Sequence, residues 1–578
     1  MDLLLVPDKS QPSFPDSAAE HSAMSNEIDN YLCKMLTLKT YLNISSHVNN
    51  LPSEILAQIF VAYARDHYQS ATRHWNKPTF ANLQWIKLSH VCRHWRNVAF
   101  NAPRFWSHIY VRRPETFCRL LPLSKSSPLY IDLDATETTW MDGTRAWDSG
   151  IELIGQQSHR LRELCYLATS KQVRLLADKL SHPMGLLEKL ELSCGISGFP
   201  DIEPLHLLPP GGLGQPPRLH YLAIRHLPVV WTDPVFCSTL TTLIVVGFDS
   251  SLNVGTPGGN FEQFLDALQA MAPSLVHLTL EDCVPRIPLA ASELLPSIRA
   301  IALPRLQHLK LVGITDDCVS LMDRLLMNPA AKLTLMVLGV AGIPHLVEIL
   351  SAHVSRTTPL LAMRIFFPGI ATWAVHVVGQ DDVTDIASIR IDLTLRTSSL
   401  DDSLDQPFTA VLKAAKTLFS HVKTLYVRSS KESDMSWQRL FRRTTSLEIL
   451  DVTQRPGPDF LKALCNVQRK KTVGSSRPRW HVPLRRLCEL RFHDVCFHHP
   501  RIWGLRRTGN GPEFFDQLLN WATLRCKYKV PLKRIQISEC KYATDWDISR
   551  LRKVVVDVKW DGKEGSRPRT TGSRTTLT

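Results

Sequence analysis

One short phrase, L-x-x-L-x-(L/V/I), recurs along this chain and restricts its fold more than any other feature. It stands at 187–192 (LEKLEL), 219–224 (LHYLAI), 240–245 (LTTLIV), 275–280 (LVHLTL) and 306–311 (LQHLKL). Looser copies follow at 422–427 (VKTLYV), 447–452 (LEILDV), 487–492 (LCELRF) and 532–537 (LKRIQI). The end of each phrase alternates apolar and polar residues, the period of a half-buried strand. Between phrases lie stretches of helical periodicity, such as Phe261–Met271 and Asp317–Met327. One strand and one helix cannot bury an apolar face alone, so such units must stack on their neighbours. The stretch 335–420 keeps strand-like runs at Ala362–Phe366 and Ile389–Leu393 but only poor copies of the phrase, and Ser398–Gln406 reads as an acidic, Ser-rich loop. A last strand is expected at Val554–Lys559, before a polar tail over 559–578 expected to be disordered.

The phrase and its spacing resemble leucine-rich repeats of a long, irregular type. The resemblance implies a solenoid of strand–helix units over residues 115–558 whose strand face holds a protein partner. The phrase residues expected on that face are Glu188, Lys189, His220, His277, Gln307, His308, Lys423, Arg485 and Arg486.

Upstream the pattern differs. Residues 1–25, rich in Ser, Pro and Asp over 7–25, read as a disordered leader. From 26 to 47 apolar residues recur at steps of three and four (Ile28, Leu32, Met35, Leu36, Leu38, Tyr41, Leu42), which predicts a short amphipathic helix. It is expected to pack on the domain that follows, since a coiled coil needs three or four heptads. Leu51-Pro52-Ser53-Glu54 opens a second helix, with proline where a missing N–H costs nothing and a carboxylate near the positive end. Residues 66–80 read as a loop, and Ala81–Phe100 as one further helix that stops at Asn101-Ala102-Pro103. Ile109 and Val111 then alternate as in a strand.

The series Leu51-Pro52, Ile55-Leu56, Ile59-Phe60, Val91-Cys92-Arg93-His94-Trp95-Arg96 and Pro103-Arg104-Phe105-Trp106 resembles the F-box pattern over residues 48–111. It is most similar to the form found in mushroom-type fungi, where a phrase like Leu123–Leu129 follows the box. The 66–80 segment departs from the minimal box. The resemblance implies a small three-helix domain that docks on a Skp-type adaptor and, through it, on a cullin. Leu51, Pro52, Ile55, Leu56, Ile59, Phe60, Val91, Cys92 and Trp95 would divide between adaptor contact and the domain's own core, and Trp106 would close that core. The chain would then be the substrate-recognition subunit of a Skp–cullin–F-box ubiquitin ligase, holding a protein substrate on the repeats.

Composition narrows the classes. Hydrophobic residues are 44% and charged ones 21%, the mix of a globular chain. The formal charge of +14 is uneven: residues 466–507 hold eleven Lys/Arg against Glu489 and Asp494. That patch, over 469–507, leaves open a nucleic-acid reading with Trp480, Phe492, Phe497 and Trp503 as stacking faces; a repeat scaffold uncoupled from any ligase is the other alternative. No phosphate-binding loop, nucleophile elbow or zinc-protease motif is present, so no catalytic residue, cofactor or metal is expected. Gly211–Gly214 reads as a loop. Cys488, His493, Cys496, His498 and His499 have zinc-ligand chemistry but no justified spacing. Thirteen cysteines without C-x-x-C spacing suit a reducing compartment. Asp2 opens a leader unlike a secretory signal, and Leu333–Val347, with Pro344 inside it, is too short to span a bilayer. The expected location is cytoplasmic or nuclear.

Overall fold

The computed structural model describes residues 18–72, 83–136, 147–180, 183–195, 205–207, 217–247, 260–286, 299–355, 362–369, 372–378, 389–396, 405–415, 418–429, 437–454, 459–466, 468–470, 479–497 and 514–563. They fall into two units, Met1–Tyr166 and Leu167–Thr578. Outside the described residues lie most of the expected leader and tail, Gly211–Gly214, His498, His499, Trp503 and much of the basic stretch.

In the first unit, helix α1 (Ala18–Ile44) begins eight residues before the expected start at 26, so residues 18–25 are helix and not disordered leader. Helix α2 (Ser53–Thr72) likewise continues through residues 66–72, expected as loop. The single helix expected over 81–100 is two pieces: a 3-10 segment, Leu83–His90, and helix α3, Arg93–Phe100. Cys92 separates them. It sits in extended conformation as the cap of α3, its Sγ accepting the Trp95 amide at 3.5 Å. A 3-10 turn at Pro103–Trp106 leads into strand β1 (His108–Val111), helix α4 (Pro114–Leu120), strand β2 (Leu129–Asp134), helix α5 (Asp148–Gln156) and strand β3 (Leu161–Ala168). β1 and β2 are parallel, Ile109 opposite Ile131.

The second unit carries the repeated phrases. They form β4 (Lys189–Cys194), β5 (Tyr221–Arg225), β6 (Thr242–Val246), β7 (His277–Glu281) and β9 (His308–Ile314), then β15 (Thr424–Ser429), β16 (Ile449–Gln454), β19 (Glu489–His493) and β20 (Arg534–Ser538). In all nine the strand begins at the third residue of the phrase. Positions 1, 4 and 6 are buried throughout, as Leu219, Leu222 and Ile224 are in β5. Register keeps these positions aligned. Leu190, Leu222, Leu243, Leu278 and Leu309 form one ladder through parallel neighbours, continued by Leu333 of β11 (Lys332–Leu338). Helices α7 (Phe261–Met271) and α14 (Asp545–Arg552) start at reciprocal capping boxes, Asn260 with Gln263 and Thr544 with Asp547. The expected helix Asp317–Met327 is a shorter helix, Thr315–Met322, followed by a three-residue strand, Leu325–Met327, because Leu325 pairs with Ile301. The last strand is Asp557–Trp560, displaced from the expected 554–559.

The middle of the sheet breaks chain order. β12 (Ala362–Gly369) pairs with β15, β13 (Thr372–Val378) returns antiparallel to it, and β14 (Ile389–Arg396) comes back parallel beside β11. The spatial order is therefore β11-β14-β13-β12-β15. The register survives the reversal: Ile391, Val377, Met363 and Leu425 lie opposite one another in turn.

A second regularity follows five of the nine strands. Two residues beyond position 6, His226, Asp282, Gln454, Asp494 and Glu539 all have positive φ, between 49° and 71°. The amides of His226, Gly247, Asp282 and Asp494 donate to the carbonyls of Val246, Glu281, Val312 and Ser538, each the residue after position 6 of the next strand. The left-handed residue thus turns the chain off the sheet while keeping its N–H paired.

Candidate functional site

Helix α2 has two apolar faces with opposite surroundings. Leu56, Phe60 and Ala64, four residues apart, are buried. Phe60 packs at 5.0 Å from Trp95 and 5.8 Å from Phe105. Phe105 meets Trp85 and Trp106 edge-on, both at 4.9 Å. Trp106 is buried and its indole N–H donates to the Ala99 carbonyl at 2.8 Å. Aromatic edges and faces of this kind interlock and fix the angle between short elements.

The other face points outward. Ile55 is 43% exposed and Ile59 47%, with Tyr63 continuing the row and Val91 54% exposed at the break before α3. Pro52 is exposed and Leu51 half-buried, and Cys92 and Trp95 are also half-buried. Of the expected interface residues, then, Leu56 and Phe60 face the core. Pro52, Ile55, Ile59 and Val91 face outward, and Leu51, Cys92 and Trp95 lie between.

Asn49 ties this region together and carried no sequence signal. Its side-chain oxygen accepts from the Trp95 indole at 2.5 Å, and its nitrogen donates to the Asn43 carbonyl at 2.5 Å. The end of α1 is thereby pinned to the box through one amide. His108 is the most perturbed base nearby. Burial pushes its pKa down to about 4, with Arg65 acting in the same direction against an Arg104 backbone hydrogen bond. Its ring stacks on Tyr130 at 4.4 Å.

Residues 48–112 match the family model described as F-box-like. They are an F-box-like domain. Such domains in general bind Skp-type adaptors and point to an adaptor role in ubiquitin ligases. No curated protein is similar enough to the chain to count as a match. The F-box-like domain is followed by a mixed α/β region with parallel strands, and among the described residues no helix is long and apolar enough to cross a membrane.

The residues expected to hold a partner do not gather in one place. His277 and His308 lie on neighbouring strands, both exposed, their rings stacked at 4.7 Å. Loss of water around His308 lowers its pKa, and His277 and Lys332 add to that. Gln307 and His220 are exposed, whereas Glu188 and Lys189 are half-buried; Lys189 pairs with Glu191 at 3.5 Å and lies over the Tyr221 ring. Lys423 is five strand steps from β9, roughly 24 Å at about 4.8 Å a step. Arg485 and Arg486 are exposed in the turn before β19 and not within a strand, since they precede even the phrase, which begins at Leu487. Much of this sheet face neutralises itself. Lys310 meets Glu281 at 2.6 Å, and Arg534 bridges Glu489 and Asp557 at 3.7 and 2.7 Å. His493 pairs with Glu539 at 3.3 Å, and the Cys488 thiol donates to the Glu448 carbonyl.

Proposed function

We propose that this protein is a non-catalytic substrate receptor of a Skp–cullin–F-box ubiquitin ligase. The observation that carries the reading is the division of α2: Leu56 and Phe60 seal the domain while Ile55 and Ile59 stay exposed on the same helix. Exposed apolar residues at i and i+4 suit a partner groove, where each contributes roughly 1.5–3 kcal/mol on burial. The cullin is reached through the adaptor.

The region after residue 115 is read as a leucine-rich-repeat-like solenoid holding a protein substrate. Nine strands beginning at the same phrase position, in two runs of parallel register, support that reading. Its contribution is positional, raising the local concentration of a substrate lysine near the charged enzyme. A cytoplasmic or nuclear location goes with this role.

The test is a pull-down of the full chain with adaptor and cullin, comparing wild type with Ile55→Glu/Ile59→Glu. Both partners should be recovered with wild type and lost with the variant, whose circular dichroism should be unchanged because both positions are exposed. Adaptor recovery undiminished by the variant would refute the assigned face, and adaptor without cullin would refute the ligase role.

A further inference from the structure

The apolar residues of α1 stay in water instead of packing on the box as their spacing suggested, and nothing among the described residues covers them. The strand face of the second unit differs, because its charges define what would complete it. The third phrase residue lies on the face opposite the buried fourth, and parallel register sets these third residues in a row. In the later run of strands the row reads Thr424, Ile449, Glu489 and Arg534, with Asp557 of the last strand beside Arg534. It neutralises itself, since Arg534 bridges Glu489 and Asp557. From β5 to β11 the corresponding row reads Tyr221, Thr242, His277, His308 and Lys332, and it holds no carboxylate.

His277 and His308 are exposed, and their rings stack at 4.7 Å, 14° from parallel. Loss of water lowers the His308 pKa, and His277 and Lys332 lower it further, so all three bases act on one spot. Of the other charges on this face, Lys310 and Glu281 hold each other at 2.6 Å. Arg305 is exposed in the turn before β9, and Asp392 of β14 lies two strands from Lys310. Protonating both stacked rings sets like charges side by side, and an anion laid over them relieves that repulsion. No arginine stands in the row, so its donors are single points, without the planar fork that matches phosphate. The middle of the histidine pair lies one and a half strand steps from Lys332, roughly 7 Å at about 4.8 Å a step. An extended peptide crossing the strands puts residues i and i+2 on one face at nearly that distance, roughly 6.7 Å.

We infer that His277, His308 and Lys332 form a docking row for an extended acidic segment of the substrate, one carboxylate lying over the stacked imidazoles and another, two residues along, at Lys332. The inference rests on the substrate-receptor reading and gives the chemistry of what is held. Binding is coupled to proton uptake. The carboxylate raises the pKa of the rings it covers, so the complex tightens as pH falls through the pKa of the bound state.

The experiment titrates the purified full chain with a fluorescent peptide carrying glutamates at i and i+2, at pH 7.5 and pH 6.0, in about 0.15 M salt. The dissociation constant should be roughly fivefold lower at pH 6.0. It should be roughly tenfold higher for peptides with glutamines in those places or with the two glutamates adjacent. His277→Asn/His308→Asn should abolish the pH dependence, Lys332→Gln should weaken binding at both pH values, and Lys423→Gln in the later run should change nothing. Absence of binding at pH 6.0, or equal binding at both pH values, overturns the inference. So does binding that survives His277→Asn/His308→Asn. An equal loss in Lys423→Gln would assign the affinity to the chain's formal charge of +14 and overturn it too. A phosphoserine peptide that binds more tightly through the same residues overturns the assignment to carboxylates. Peptide binding intact in Ile55→Glu/Ile59→Glu supports the row independently of the box. Peptide binding absent while adaptor and cullin are recovered overturns the row and leaves the receptor reading standing.

Discussion

Gly247 has no room for a side chain. It follows β6, and a Cβ there would collide with the Asp282 carbonyl, itself held by a left-handed residue with φ of 49°. Gly247→Ala should cost about 2–3 kcal/mol, read as a lower urea midpoint with unchanged slope, while Gly185→Ala, with open space around it, should cost under about 1 kcal/mol. On α2 the same length of sequence gives opposite outcomes. Leu56→Ala removes a buried side chain and should cost about 2–5 kcal/mol. Ile55→Ala should change stability by under about 0.5 kcal/mol while weakening adaptor capture. His108 makes the F-box-like unit sensitive to acid. Its folded pKa, about 4, lies below the ordinary 6.5, so the unfolded chain takes up a proton that the folded one refuses. Stability is complete above about pH 6.5 and falls as pH drops toward 4, by roughly 3 kcal/mol in all. Denaturation at pH 7.5 and pH 5.0 should show about 2 kcal/mol of that loss in wild type and much less of it in His108→Phe.

At the scale of elements, the phrase L-x-x-L-x-L was legible because its three apolar positions are the three that burial enforces, and every copy became a strand. The short aromatic box was legible for a similar reason: Phe60, Phe105 and Trp106 form one interlocked core. What escaped has its own causes. The break at Cys92 hides inside a helical period because a thiol can cap a helix while its neighbours keep their apolar spacing. The left-handed residue after five of the strands has no common residue type, being His, Asp, Gln, Asp and Glu in different copies, so only φ reveals it. Among partner residues, Glu188 and Lys189 are half-buried because Glu191, Tyr221 and Arg225 crowd the same strands, a contact between segments that spacing does not carry. Asn49 and Trp85 could not have been found from spacing, since their roles depend on contacts between segments.

For the second unit as a whole, β12–β14 are the seam between two runs of parallel strands. β13 is bonded on both sides, so proline there removes a donor from an interior strand. Val375→Pro should cost about 3 kcal/mol or more and make the chain between residues 355 and 405 the first site of limited proteolysis, leaving one fragment that ends near residue 355 and one that begins near 405; a fragment pattern unchanged from wild type would contradict a seam. The reversed order also imposes a timetable on synthesis. Strands β4 to β11 can each dock on a neighbour already made, but the far edge of β11 must wait for β14 while β12 and β13 are produced first. From Leu338 to Ile389 is roughly 50 residues, a few seconds of translation at about 5–20 residues per second. For that interval an unpaired parallel edge stands open on the nascent chain, the moment in this protein's life when a chaperone has most to protect.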